Sequence, residues 1–310
     1  MSDLLLQPEH AREPLQASFS DQDNPVGLDG VEFVEYATSQ PQALGQVLEM
    51  MGFRPVARHR SREVLLYRQG GLNIVVNAHP LEEGGAANTG AQPSISAIAL
   101  RVRDARSAYR YALERGGWEV PTHPEPMELN IPAIHGVGGT RIYFVDRYRD
   151  FSIYDVDFVP IPSVNPRPPA LAGIHFFGIV QYIGTGRSYD WIEFYGALFG
   201  IQAIPDEQRF GILPSGKLLR APAVSSANRF MLQLIEPELD AEDEGERLQR
   251  IGLGVPDVLA AVRALRVCGM EFVETEAAHT ERRGAITKTY LGNVVFELVH
   301  SEPAVAPVNP

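Results

Sequence analysis

Two stretches decide the fold, "AIALRVRDARSAYRYALERGG" at 97–117 and "RIGLGVPDVLAAVRALRVCGM" at 250–270, because they align without a gap. Each reads as a short alternating strand ending in V-x-D, then a helix with apolar residues at helical spacing, then a closing glycine. Val102 corresponds to Val255, Asp104 to Asp257, Ala108 to Ala261 and Gly116 to Gly269, a constant offset of 255 − 102 = 153. The strands "GTRIYF" (139–144) and "GNVVFE" (292–297) keep that offset, 292 − 139 = 153. The opening strands "LDGVEFVEYA" (28–37) and "LAGIHFFGIV" (171–180) lie 171 − 28 = 143 apart. Each leads into a helix that ends near a glycine, "LGQVLEMMGF" and "WIEFYGALFG".

The chain is therefore a tandem duplication of strand–helix–strands units, βαβββ in each half. An α+β architecture follows, in which such modules pair side by side into concave sheets that can hold a ligand. The pattern divides the chain into a flexible tail at 1–26, a first domain at 27–160, a linker at 161–173, a second domain at 174–301 and a tail at 302–310. The proline-rich stretch "PIPSVNPRPPALAG" (160–173) reads as extended and without structure of its own.

Composition narrows the function classes. A chain of 310 residues with 45% hydrophobic content buries a substantial core. A net charge of −12 without a basic stretch argues against nucleic acid or an anionic membrane as partner. Much of that acidity falls in "EPELDAEDEGER" (236–247), expected to be a solvated loop. Cys268 is the one cysteine, so no intrachain disulfide forms, and its place in a helical pattern reads as a buried, inert thiol. No apolar run reaches spanning length, and the start lacks the basic and apolar regions of a signal peptide. The expected location is the cytoplasm.

The repeat also serves as an internal control for chemistry. In "GNVVFELVH" (292–300), Glu297 puts a carboxylate in an apolar strand, which is costly unless it is paired. The second half places His175, Arg250 and Glu297 on three strands, whereas their first-half counterparts are Glu32, Ala97 and Phe144. The first cup is thus expected to be structural and the second to carry any catalytic or binding site. A ferrous site of the facial type takes two imidazoles and one carboxylate. Here the residues offer one imidazole and one carboxylate beside an arginine, which stays protonated and cannot ligate a metal. His300 alternates to the opposite face from Glu297, and His279 sits in the polar loop "ETEAAHTERRGA".

At this point the residues resemble a known family. "GLDGVEFVEYATSQPQALGQVLEMMGFRPVARHRSREVLLYRQGGLNIVVN", "PMELNIPAIHGVGGTRIYFVDRY" and "FSIYDVDF" resemble the amino-terminal domain of bacterial 4-hydroxyphenylpyruvate dioxygenases, over most of 27–160. "WIEFYGALFG", "RLQRIGLGVPDVLAAVRALRVCGMEFV" and "GNVVFELV" resemble the family's catalytic domain more loosely. The resemblance implies two vicinal-oxygen-chelate domains of paired βαβββ modules and self-association through the first. It also implies Fe(II) held by two histidines and a glutamate, with oxygenase chemistry on an aromatic 2-oxo acid. Position by position, the first histidine falls on His175, the glutamate on Glu297, and the second histidine on Arg250. The chain also ends at "SEPAVAPVNP", where the family continues into a helix that closes its pocket.

Three readings stay open from sequence. In one, His175 and Glu297 hold Fe(II) with water or His279 completing the sphere. In the second, a metal-free enzyme, Arg250 pairs with Glu297 or grips a small aromatic carboxylate while His175 moves a proton. In the third, the scaffold serves a binding or assembly role without catalysis.

Overall fold

The computed structural model describes residues 23–78, 92–121, 128–149, 151–205, 216–225, 228–237, 245–274 and 284–302. The first half runs β1 (Val31–Ala37), α1 (Pro41–Met50), β2 (Arg54–His59), β3 (Val64–Gln69) and β4 (Leu72–Asn77). It continues with β5 (Ser94–Arg101), α2 (Ala105–Leu113), β6 (Ala133–His135), β7 (Arg141–Val145), α3 (Ile153–Asp157) and β8 (Phe158–Pro160). The second half repeats the plan with β9 (His175–Tyr182), α4 (Ser188–Phe199), β10 (Gln202–Ala203), β11 (Lys217–Arg220) and β12 (Met231–Ile235). It closes with β13 (Arg247–Val255), α5 (Val258–Val267), β14 (Ala285–Ile286) and β15 (Phe296–His300).

Each half is a single sheet of two paired modules, ordered β6-β7-β5-β1-β4-β3-β2-β8 and β10-β11-β12-β9-β13-β15-β14. Within each, the opening strands of the two modules meet antiparallel, β1 on β5 and β9 on β13. The V-x-D motif shared by the halves has a local cause. Asp104 accepts the backbone N–H of Ser107 at 2.7 Å and Asp257 that of Ala260 at 2.8 Å, so each caps its helix.

The helix-facing sides of both sheets share one core. Leu44, Leu48 and Ala108 from the first half bury with Phe199, Ala261 and Leu265 from the second. The rings of Phe144 and Phe199 meet across the halves at 6.1 Å. Backbone contacts stitch the same seam: Val224 N–H donates to Leu28 O at 3.0 Å, and Ser225 N–H to Asp29 Oδ1 at 2.9 Å. The opposite, concave faces are filled separately. The first cup packs Phe33, Val75 and Ala99 against Ile153 and Tyr154 of α3. The second holds a small cluster of Ile204, Leu218 and Met231 with Phe177.

Three local expectations change. The proline-rich linker is hydrogen-bonded along the β3–β4 turn, with Gly70 N–H on Pro168 O at 2.8 Å and Arg68 Nη1 on Pro166 O at 3.0 Å. Cys268 is exposed, because the buried stripe of α5 ends at Leu265 and the cysteine lies beyond it at the C-cap. Within the acidic run, Glu236 accepts the N–H and hydroxyl of Ser188, and Glu246 accepts Trp191 Nε1 at 3.0 Å. These two acids anchor the start of α4 instead of facing water. No helix among the described residues is long and apolar enough to cross a membrane.

A core continuous across both sheets has a measurable consequence. Phe199→Ala removes a fully buried ring at the seam and is expected to cost about 3–5 kcal/mol. Urea denaturation followed by circular dichroism should give one cooperative transition moved to lower denaturant. Two transitions, only one of them moved, would contradict the shared core.

Candidate functional site: an ion pair on a glycine floor

The second cup is built from two rows of side chains that run across its sheet. In the first row Met231 on β12 pairs with Gly178 on β9, Gly178 with Gly252 on β13, and Gly252 with Glu297 on β15. In the second, Gln233 pairs with Val180 and Val180 with Arg250. Residues level with one another on paired strands share a face. Two glycines therefore leave bare floor between Met231 and Glu297, and that floor makes the concavity.

The carboxylate and the guanidinium meet on this face. Arg250 Nε donates to Glu297 Oε2 at 3.0 Å, with the two residues 2% and 3% exposed. Arg250 Nη2 is buried with no hydrogen-bond partner among the described residues. Beside Glu297 lies a space of only about 20 Å³, bounded by Phe177, Leu218, Met231, Gln233 and Val299 over the glycine floor. About one water fits in such a volume. Register explains the lid: Gly252 pairs with Gly178 but Leu253 pairs with Phe176, so Phe177 is the extra residue of a bulge. Its Cδ1 would stand 3.6 Å from a Cβ built on Gly252.

His175 lies on the same face but farther along, level with Gly254. Its ring fills the place of the missing side chain there, since a Cβ on Gly254 would come within 2.2 Å of His175 Nε2. Nδ1 lies 3.1 Å from Gly173 O and Nε2 3.2 Å from Ser301 Oγ. Of the three residues expected to converge, the structure joins Arg250 and Glu297 and seats His175 with a different set of neighbours. His279 falls outside the described residues.

These residues do not fit a ferrous ion. Glu297 is engaged by a protonated guanidinium, Arg250 has no lone pair to give, and both ring nitrogens of His175 sit within hydrogen-bond distance of other groups. No group of three His, Cys, Asp or Glu side chains suited to a metal occurs among the described residues.

The internal control also needs correction. Ala99 pairs with Tyr143 as Gly252 pairs with Glu297, so the counterpart of Glu297 is Tyr143 and not Phe144. Phe144 points to the helix side. A one-residue slip reverses the face of every side chain, and a constant offset hides it. The first cup is also more polar than Glu32, Ala97 and Phe144 suggest. Glu32 pairs with Arg101 Nε at 2.6 Å, and Glu35 accepts Ser96 Oγ at 2.8 Å. Burial pushes the Glu35 carboxyl pKa up, against those hydrogen bonds. Phe177, Met231 and Gln233 are the cup residues that sequence reasoning did not single out as site residues. Alternation in "FMLQL" (230–234) carries a signal that puts Met231 and Gln233 on one face.

A buried pair is most vulnerable when only one member is removed. Glu297→Ala alone is expected to cost about 3–5 kcal/mol, because it leaves Arg250 charged and unpaired. The double variant Arg250→Met with Glu297→Leu should recover most of that loss in equilibrium denaturation. Equal destabilisation by the single and double variants would contradict the pairing.

With this geometry in place, the likenesses to known proteins can be set beside it. Residues 22–159 match the family model described as hydroxyphenylpyruvate dioxygenase, HPPD, N-terminal. The chain is 35% identical over 279 residues to hemolysin VllY of Vibrio vulnificus, covering 84% of this chain and 76% of that one. It is 35% identical over 275 residues to the 4-hydroxyphenylpyruvate dioxygenase of Pseudomonas aeruginosa, covering 84% and 76%. Among solved structures, a xylose isomerase-like TIM barrel/4-hydroxyphenylpyruvate dioxygenase fusion protein matches with a TM-score of 0.69 at 23% identity. That match covers 95% of this chain and 52% of the fusion. The fold is that of the vicinal oxygen chelate dioxygenases, and the similarity spans both halves. The chain belongs to the 4-hydroxyphenylpyruvate dioxygenase family of enzymes.

Proposed function

We propose that the second cup of this dioxygenase-like chain takes a small aromatic carboxylate, a 2-oxo acid first among candidates, and does so without iron held by the protein. The observation that carries this reading is Arg250. It gives Nε to Glu297 at 3.0 Å and keeps Nη2 buried without a partner among the described residues. A guanidinium so placed is a fork with one prong in use, and carboxylate or carbonyl oxygens are the acceptors that match it.

The chemistry open to such a site is proton transfer and polarisation. Arg250 orients the acid group, and Glu297, held against the guanidinium, is the group nearest to accept or return a proton. His175 is a positioning residue in this reading, since it props the strand end through Gly173 and Ser301. The space of about 20 Å³ is too small for an aromatic ring, so entry requires Phe177 to leave the glycine floor.

A second reading rests on that same small volume. A cup filled by Phe177, Leu218 and Met231 suits a scaffold role in which binding happens elsewhere on the chain.

Isothermal titration of the purified chain with 4-hydroxyphenylpyruvate, in the presence of a strong chelator, separates the possibilities. The proposal expects saturable binding that Arg250→Met weakens by about 100-fold, the order found when a buried charge loses its partner. Phe177→Ala should tighten it by opening the floor. Binding that appears only when ferrous iron is supplied would overturn the metal-independent reading. Failure to bind with and without iron would leave the scaffold role in its place.

A further inference from the structure

A second candidate site lies in the first half, at the edge of its sheet. A cavity of about 390 Å³ opens between the start of α2, the segment 129–132 and the end of β7. That volume falls in the usual range of small-molecule sites, roughly 300–1,000 Å³. Its lining mixes polar side chains with apolar ones, among them Leu129, Ile131 and Tyr109, and the Tyr109 ring is held edge-on by Phe144 at 6.2 Å. Two guanidiniums, Arg106 and Arg147, line it; both are exposed, and neither forms an ion pair among the described residues, though Arg106 is close enough to Asp104 to favour its charged form. The one acid among the described lining residues, Asp146, accepts Ala105 N–H at 3.0 Å at the start of α2.

Two guanidiniums that form no ion pair among the described residues, beside a partly apolar pocket, are not the default on a chain whose net charge is −12. Charge complementarity selects an anion, and the apolar part of the lining selects one with a hydrophobic body. Inorganic phosphate would satisfy the arginines and leave that part wet. We propose that this cavity binds a small aromatic carboxylate, its ring between Tyr109 and Ile131 and its acid group between Arg106 and Arg147. The site shares no residue with the second cup and stands or falls independently of the reading given for it.

The test uses the full chain, labelled with nitrogen-15 and titrated with 4-hydroxyphenylacetate and, separately, with inorganic phosphate. Saturable amide shifts are expected at 105–109 and 129–131 with the aromatic acid. Arg106→Gln and Arg147→Gln should each weaken that binding about fivefold or more, the scale of one exposed charge-assisted bond. Both side chains are exposed, so the variants are expected to fold, and unchanged melting curves verify it. Arg250→Met should leave these shifts untouched. The proposal is overturned if the shifts cluster only around Gly252 in the second cup, if phosphate saturates the same amides with equal affinity, or if no amide moves.

Discussion

A guanidinium buried at Arg250 must be neutralised where it stands, and Glu297 does this from the neighbouring strand of the same sheet. Around that pair the rest of the second cup is arranged. Gly178 and Gly252 keep the floor bare beside it, the bulge at Phe177 drops an aromatic ring over the floor, and Met231 and Gln233 close the far wall. A buried pair of this kind contributes little net stability compared with apolar residues of the same volume. Its presence on a buried sheet face therefore points to a use beyond holding the fold together.

The pair also defines how this chain differs from what its family resemblance implies. Arg250 and Glu297 stand where the resemblance places a histidine and a carboxylate around iron. A cation is still present at that point of the cup, but it is covalently part of β13 and already shares a proton-bearing nitrogen with the carboxylate. The positive charge that would orient an acid group remains, while open coordination positions do not. His175 is retained in sequence, yet its ring nitrogens lie against Gly173 and Ser301, near the entry of β9. The two halves are joined through a common helix layer, so the geometry of the second cup is held by packing that extends into the first.

Much of this was legible before any coordinates. The gapless alignment of 97–117 with 250–270 announced the duplicated modules, strand then helix after each V-x-D, and the structure adds that Asp104 and Asp257 cap those helices. The cost of an ionised side chain in "VVFEL" was enough to expect a partner for Glu297, with the Arg250 guanidinium one of the candidates. Other features depend on register, which a constant offset cannot report. The slip that makes Tyr143, not Phe144, the partner position of Glu297 is a one-residue difference in register between β7 on β5 and β15 on β13. A bulge in β9 against β13 puts Phe177 over the floor and draws His175 out of line with the pair. The acids Glu236 and Glu246 looked like part of a solvated run, because their partners on α4 are distant in sequence.

The central claim is that Arg250, not a metal, is the cation that Glu297 serves. Anaerobic titration of the chain with Fe(II), followed by metal analysis after desalting, tests this directly, with Arg250→His run alongside. The account predicts that the natural sequence retains far less than one equivalent of iron, and that Arg250→His retains more. Near-stoichiometric iron on the natural sequence, lost in Glu297→Ala, would contradict it.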